Sequence, residues 1–83
     1  MSYIYILLLN NGLIYTGYTK DLKRRVSEHK QGKVKSTRRR QPVKLVLYEA
    51  YCKDSDARRR EKFLKTSQGK KLLKLQIKDT LNA

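Results

Sequence analysis

The chain opens with a continuous hydrophobic run that is followed at once by turn residues. Tyr3 to Leu9 is apolar on both faces and rich in strand-forming side chains, which predicts a central β-strand. Asn10 to Gly12 provides a hairpin turn, because asparagine and glycine tolerate the positive φ that tight turns require. Leu13 to Tyr18 is typical of the returning strand, and Gly17 marks a break or a close approach within it. We therefore expect an N-terminal β-hairpin.

The polar segment after the hairpin predicts a helix from Asp21 to Lys30. Its apolar stripe is thin and consists of Leu22, Val26 and His29 at helical spacing. Thr19 or Asp21 can cap the start of this helix, and Gly32 can end it. A loop rich in lysine and arginine follows, from Lys30 to Gln41, and Pro42 closes it.

Three further elements complete the chain. They are a strand over Val43–Tyr51, a helix over Asp56–Thr66 and a helix over Lys70–Lys78. Asp54 or Ser55 can cap the first of these helices, and Gly69 can end it. The predicted order is β-β-α-β-α-α, which indicates the α+β class with a small three-stranded antiparallel sheet flanked by helices.

Composition adds a strong charge asymmetry to this picture. Lysine and arginine number 21 against seven aspartate and glutamate, a formal net charge of +14 over 83 residues. Such a charge attracts polyanions, so nucleic acid is the simplest partner, although an anionic membrane surface or an acidic protein has the right sign. The length predicts one domain over residues 1–83.

Several classes of protein are excluded at the same time. Cys52 is the only cysteine, so there is no disulfide framework, and a single histidine cannot build a Cys/His zinc site. The longest apolar run is far shorter than a membrane span and lacks the features of a signal peptide. We expect a protein of a reducing cytoplasm with no membrane partner.

Aromatic side chains concentrate in the hairpin. Tyr5 and Tyr15 lie on its two strands, which we expect to face each other across the turn. Tyrosine is an ordinary strand residue, so packing alone can account for them. A ligand contact is the alternative.

Arg25 and His29 stand four residues apart on one helix face, where both could hold a phosphate. For His29 the simpler interpretation is a histidine at the edge of the core with a hydrogen bond to the backbone. For Arg25 it is one more surface cation.

Glu61 falls on the apolar face of its helix, between Ala57 and Leu64. A carboxylate in that place is costly to bury unless a cation meets it. An ion pair with Arg60, Lys65 or Arg25 is the simpler interpretation, and a hard divalent cation is the alternative.

The remaining cations lack acidic partners, so contact with nucleic-acid phosphates is the better interpretation of their clustering. The candidate contacts are Lys20, Lys33, Lys35, Arg38, Arg39, Arg40, Arg58 and Lys65.

Taken in order, these residues resemble the GIY-YIG nuclease superfamily. Tyr3-Ile4-Tyr5 and Tyr15-Thr16-Gly17 are similar to its two paired motifs, and the segments around Arg25 and Glu61 resemble its arginine helix and its glutamate helix. The resemblance covers residues 2 to about 73, leaving the C-terminal helix and tail within 70–83. It is closest to the short stand-alone bacterial members and extends to the N-terminal nuclease domain of the bacterial excision-repair nuclease.

The resemblance implies a DNA endonuclease that uses one Mg²⁺ or Mn²⁺ ion. Tyr15 would act as the general base with help from Tyr5, and His29 would hydrogen-bond to tyrosine or phosphate. Arg25 would stabilise charge on the phosphate, and Glu61 would hold the metal. A free phenol has a pKa of about 10, so such a base needs neighbouring cations that stabilise the phenolate.

Three departures from the family pattern stand out. Tyr3 replaces the glycine of the first motif, Thr16 replaces the isoleucine of the second, and Tyr18 stands where many relatives have lysine. Gly17 and Tyr18 are expected to support the site.

The leading hypothesis is a structure- or damage-directed endonuclease of DNA repair or recombination, with branched, damaged or single-stranded DNA as its substrate. A separate protein partner would supply targeting. The alternative is a nucleic-acid-binding domain of the same fold with little or no catalysis.

Overall fold

The computed structural model describes residues 1–83 and has a three-stranded antiparallel sheet at its centre. The strands are β1 (Ser2–Leu8), β2 (Ile14–Thr19) and β3 (Lys44–Tyr51), in the order β2-β1-β3. The helices are α1 (Leu22–Lys30), α2 (Asp54–Leu64), α3 (Ser67–Gln76) and a short α4 (Lys78–Leu81). The predicted class and order are confirmed, and α4 is an addition to them.

The hairpin turn forms where the sequence predicts it. The backbone N–H of Gly12 donates to the carbonyl of Leu9 at 3.0 Å, and that of Leu9 donates to Leu13 at 2.9 Å. Gly12 has φ of +83°, the left-handed conformation that glycine adopts without steric cost. The turn therefore fixes the register of β1 against β2.

β1 is buried on both faces because helices cover each side of the sheet. Ile4 and Ile6 pack with residues of α2 and α3, among them Leu64 and Leu73. The opposite face carries Tyr5 and Leu7, which pack with residues such as Leu22 of α1. The continuous apolar run thus reflects a central strand between two layers.

α2 begins two residues before its predicted start. Lys53 is the N-cap residue and makes no side-chain hydrogen bond to the helix. Asp54 instead accepts hydrogen bonds from the hydroxyls of Ser2 and Tyr18, which tie α2 to the sheet. Asp54 and Asp56 in the first turn complement the positive end of the helix dipole.

Gly69 does not end a helix, contrary to the sequence prediction. α2 ends at Leu64, and Thr66 caps α3 by accepting from the Gly69 N–H at 3.0 Å. A Cβ at Gly69 would lie 1.9 Å from the carbonyl oxygen of Phe63. This glycine therefore allows α3 to begin in close contact with the end of α2, which a sequence pattern cannot distinguish from a helix stop.

No helix of the protein combines the length and the apolar character that crossing a membrane requires.

Candidate active site

Tyr5 and Tyr15 lie on the sheet face that α1 covers. Tyr5 pairs with Gly17 and Tyr15 pairs with Leu7, so the two tyrosines are diagonal neighbours on adjacent strands. Diagonal positions share a face, and the ring centroids are 6.4 Å apart. Tyr5 is 1% exposed, whereas Tyr15 is partly exposed. Of the two hydroxyls, only that of Tyr15 belongs to a residue open to solvent.

Gly17 provides the space that the Tyr5 ring occupies. A Cβ at position 17 would lie 2.2 Å from Cζ of Tyr5 and 2.3 Å from its hydroxyl oxygen. Such distances are impossible for real atoms, so any larger residue would displace the ring. Gly17 is thus a close-approach glycine, in agreement with one of its two sequence interpretations.

We expect Gly17→Ala to destabilise the fold by about 3 kcal/mol, the upper range for overpacking a buried site. It should also change the near-ultraviolet circular dichroism, because the Tyr5 ring must move. Gly12→Ala is the matched control: nothing lies within 4 Å of its added Cβ, so only backbone strain remains. An unchanged near-ultraviolet spectrum for Gly17→Ala would contradict this packing.

His29 links the two tyrosines to the loop that follows α1. It is fully buried, its Nε2 lies 2.8 Å from the Tyr5 hydroxyl, and its ring centroid lies 5.2 Å from that of Tyr15. Its Nδ1 lies 2.6 Å from Oγ1 of Thr37, which is also fully buried. The ring therefore contacts two side-chain hydroxyls, not the backbone group expected from sequence.

Two hydroxyl partners suit a neutral imidazole. One hydroxyl can donate to the bare ring nitrogen while the other accepts from the ring N–H. Burial lowers the pKa of His29 below its ordinary value, and the positive charge of Arg25 lowers it further, with Glu28 opposing. His29 is therefore a neutral link in a hydrogen-bonded chain from Tyr5 to Thr37.

Thr37 is the residue of this cluster that sequence analysis missed. It stands in a run of basic residues, directly before Arg38, where a polar side chain is normally solvated. The loop folds back so that Thr37 is buried under α1, and Gln41 reinforces this by donating from its side chain to the carbonyl of His29. Only the tertiary path of the loop reveals the contact.

Replacing Thr37 with valine removes the hydroxyl but keeps the shape of the side chain. We expect about 1–3 kcal/mol of lost stability, since a buried ring nitrogen of His29 loses its partner. If the cluster is catalytic, cleavage should slow about tenfold with unchanged DNA affinity. Thr37→Ser keeps the hydroxyl and should retain most of both properties. Equal behaviour of the valine and serine variants would show that the hydrogen bond contributes nothing.

The pH dependence of stability provides a second test of the cluster. Because the folded-state pKa of His29 is lowered, the unfolded chain takes up this proton first as pH falls. The contribution of His29 to the free energy of unfolding should therefore be complete above about pH 6.5. It should decrease as pH falls toward 5. His29 is the only histidine, so His29→Gln should flatten this decrease in urea titrations. An identical slope in both proteins would contradict the assignment.

Arg25 lies beside this cluster on the exposed flank of α1. Its guanidinium pairs with Glu28 at 3.1 Å, and its charge acts on the pKa of Tyr5. Burial lowers the pKa of Arg25, but the contacts with Glu28 and Tyr5 outweigh this and raise it overall. Arg25 also lines a shallow groove together with Lys33 and Lys35 of the basic loop. One catalytic candidate and two predicted DNA contacts thus share one surface.

Tyr5 is held as a neutral phenol. Burial raises its pKa; the nearby Arg25 lowers it in part, and the charges of Tyr15 and Glu61 raise it again. The charges of three other predicted catalytic residues therefore act on the pKa of this hydroxyl. The fifth, His29, is hydrogen-bonded to it.

Glu61 approaches the cluster from α2. Its side chain is 20% exposed and pairs with Lys65 at 3.0 Å and with Arg58 at 3.8 Å. Of the three partners considered from sequence, only Lys65 is observed: Arg60 pairs with Glu49, and Arg25 pairs with Glu28. Both partners of Glu61 are exposed cations, although Arg58 also pairs with Asp54 at 3.6 Å.

The fit of a divalent metal to this site rests on Glu61 alone. No group of three or more histidine, cysteine, aspartate or glutamate side chains comes together in the protein. Mg²⁺ commonly takes one or two carboxylates and completes its shell with water and substrate phosphate. One partly exposed carboxylate next to a cationic surface fits that pattern of binding.

The other predicted DNA contacts are divided among separate surfaces. Arg38, Arg39 and Arg40 form an exposed 3-10 turn after Thr37. Arg58 and Lys65 flank Glu61. Lys20 lies away from Lys33 and Lys35, in a groove on the other flank of α1.

Tyr18 is separated from the other site tyrosines. It pairs with Ile4 and therefore points to the α2 side of the sheet. The guanidinium of Arg58 lies 3.6 Å from its ring centroid, and its hydroxyl donates to Asp54. Tyr18 thus contacts the helix that carries Glu61 and not the Tyr5–Tyr15 cluster.

Comparison with known proteins agrees with this geometry. A family model described as the GIY-YIG catalytic domain matches residues 1–74. The chain belongs to the GIY-YIG family. Because GIY-YIG proteins are generally endonucleases, membership indicates a nuclease and implies DNA as the substrate. The resemblance inferred from the sequence is confirmed.

Several small GIY-YIG proteins are similar over most of their length. The chain is 43% identical over 74 residues to a UPF0213 protein of Staphylococcus epidermidis, covering 88% of this chain and 90% of that protein. It is 46% identical over 65 residues to one of Streptococcus agalactiae, covering 77% and 74%. The solution NMR structure of a UPF0213 protein from Bacillus halodurans matches with a TM-score of 0.57 at 40% identity, covering 88% of this chain and 82% of that one.

Proposed function

We propose that the protein is a divalent-metal-dependent DNA endonuclease directed to branched, damaged or single-stranded DNA in bacterial repair or recombination. The observation that carries the proposal is the buried hydrogen bond between the Tyr5 hydroxyl and Nε2 of His29, with the Tyr15 ring centroid 5.2 Å from that of His29. The charges of Arg25 and Glu61 also act on the pKa of Tyr5. Family membership supports a nuclease. We add to this the metal requirement, the DNA structure that is cut and a location in the cytoplasm.

Tyr15 is the general base in this proposal. It is the more exposed of the paired tyrosines, so its oxygen can reach a water molecule beside the phosphate. It takes the proton of that water as a phenolate. Tyr5, neutral and fixed by His29, holds the ring cluster in place and can donate a hydrogen bond.

Arg25 and Glu61 act on the phosphate. Arg25 stabilises the negative charge that develops on phosphorus oxygens as water attacks and the P–O bond to the leaving oxygen breaks. Glu61 would hold Mg²⁺ or Mn²⁺, which supplies Lewis-acid stabilisation of the scissile phosphate when bound. Arg58 and Lys65 neutralise Glu61 in the free protein and are released to contact DNA phosphates.

Glu61 also separates this proposal from the alternative of a binding domain without catalysis. A carboxylate on a phosphate-facing surface repels DNA unless a metal bridges the two. A domain that only binds DNA gains nothing from a negative charge at that position.

The proposal is tested by incubating the purified protein with plasmid, single-stranded, flap and branched DNA, each with Mg²⁺, Mn²⁺ or EDTA. We expect metal-dependent cleavage of at least one structure and none in EDTA. Salt-sensitive binding to every DNA without any cleavage would instead support the binding domain.

A further inference from the structure

A second groove lies on the opposite flank of α1 from the candidate active site. It has a volume of about 990 Å³, large enough for a nucleotide, and is bordered by α1 and β3. An α-helix turns by about 100° per residue, which places Arg25 and His29 on one side of the apolar positions Leu22 and Val26. Lys23 lies on the other side. The two grooves share no lining residue.

Two tyrosines form the sheet side of this groove. Tyr3 and Tyr48 pack edge to face with ring centroids 6.4 Å apart. Tyr48 is 54% exposed, so its ring is open to a ligand. Tyr48 on β3 pairs directly with Tyr5 on β1, on the edge of β1 away from β2. Tyr5 therefore lies between Tyr48 and the strand that carries Tyr15.

The helix side of the groove is positively charged. Lys20, Lys23 and Lys30 line it, and Asp21 is its only acidic residue. Asp21 is already engaged, since it caps α1 through the Arg24 N–H and pairs with the Arg24 guanidinium at 3.7 Å. The groove therefore combines an exposed aromatic surface with unpaired cations at its rim.

We propose that this groove binds an unpaired DNA nucleotide, with its base against Tyr48 and its flanking phosphates on the lysines. Stacking on an aromatic ring combined with lysine contacts to the backbone is how proteins hold single strands without reading sequence. Base pairs within a duplex are already stacked and cannot occupy the ring face. Tyr3 secures the Tyr48 ring, which gives the tyrosine at the first position of the Tyr-Ile-Tyr motif a role in binding.

The inference goes beyond the proposed function and does not need cleavage to be correct. If both hold, the groove would favour substrates with an unpaired strand next to the scissile bond. Binding is therefore measured in EDTA, where no metal-dependent cleavage occurs, so that failure here leaves the nuclease proposal untouched.

The test is fluorescence anisotropy with labelled oligothymidylate of about twelve nucleotides, a length within single-strand site sizes. The same measurement is made with a duplex and with an abasic strand of equal length. We expect Tyr48→Ala to weaken oligothymidylate binding about tenfold, and Tyr48→Phe, which keeps the ring, to bind like the wild type. Duplex and abasic strands should not distinguish Tyr48→Ala from the wild type.

Matched variants control for charge and for aromatic area. Lys23→Gln should weaken the single strand more than Lys74→Gln, an equal charge change on the exposed surface of α3. Phe63→Ala removes an exposed ring from α2 and should leave binding unchanged. Thermal unfolding of each variant verifies that it is folded.

Four results would overturn the proposal. The first is that Tyr48→Ala binds oligothymidylate with wild-type affinity, and the second is that abasic and normal strands bind equally well. The third is that oligouridylate binds more tightly than oligothymidylate in a manner that depends on Tyr48. The fourth is that a glutamate-rich peptide binds as tightly as the DNA and also depends on Tyr48. The third would indicate RNA as the occupant and the fourth an acidic protein.

Discussion

The Glu61→Gln variant is expected to cleave DNA at least about a thousandfold more slowly than the wild type, a loss of about 4 kcal/mol in transition-state stabilisation. The amide keeps the size of the side chain but lacks the charge that a hard divalent cation requires. DNA affinity in EDTA should be unchanged or slightly higher, because a negative charge leaves a cationic surface. Single-turnover cleavage in Mg²⁺ and anisotropy in EDTA measure the two effects separately.

Asp79→Asn is the matched control for Glu61→Gln. It makes the same change of charge on the exposed surface of α4 and should leave the cleavage rate and the DNA affinity as in the wild type. Cleavage by Glu61→Gln within a few-fold of the wild-type rate would remove Glu61 from the metal site. The ion pairs with Arg58 and Lys65 would then be its whole role.

Arg25→Ala should reduce cleavage about a thousandfold, the lower range for an arginine that stabilises a phosphoryl transition state. Arg25 lines the groove that contains Lys33 and Lys35, and its charge acts on the pKa of Tyr5. Ground-state binding should decrease much less, because one of 21 cations is lost from a broad positive surface. The measurement is the cleavage rate at saturating protein alongside the dissociation constant in EDTA.

Arg24→Ala is the neighbouring control. Arg24 is more exposed and pairs only with Asp21, so its loss should affect the salt dependence of binding and not the rate at saturation. Arg25→Lys should recover only part of the rate, because an ammonium group lacks the planar pair of donors. Equal losses in Arg24→Ala and Arg25→Ala would show that both act only through general electrostatics.

The sequence predicts the sheet well because its signals are local. Tyr3 to Leu9 is apolar at every position, which marks a strand covered on both faces, and Gly12 marks a turn that needs positive φ. The sequence predicts the helix boundaries less well. Asp54 looks like a cap but is engaged by Ser2 and Tyr18, and Gly69 looks like a stop but provides a close contact with Phe63.

The sequence predicts the individual residues of the candidate site but not how they are arranged in space. Tyr5, Tyr15 and Glu61 come from motif spacing, which says nothing about which tyrosine is buried. Thr37 was missed because its burial depends on how the basic loop returns over α1. Lys20 was grouped with Lys33 and Lys35 by charge alone, whereas α1 separates them. Long-range packing decides each of these points.

In the proposed function, Tyr15 and Glu61 act together in the metal-dependent hydrolysis of phosphodiester bonds. The most direct test is single-turnover cleavage of an end-labelled branched or flap DNA by the wild type and by Tyr15→Phe, each in Mg²⁺ and in EDTA. We predict cleavage by the wild type only in Mg²⁺ and a rate at least about a hundredfold lower for Tyr15→Phe, the usual cost of losing a general base. Cleavage by Tyr15→Phe at the wild-type rate, or cleavage that persists in EDTA, would contradict the claim.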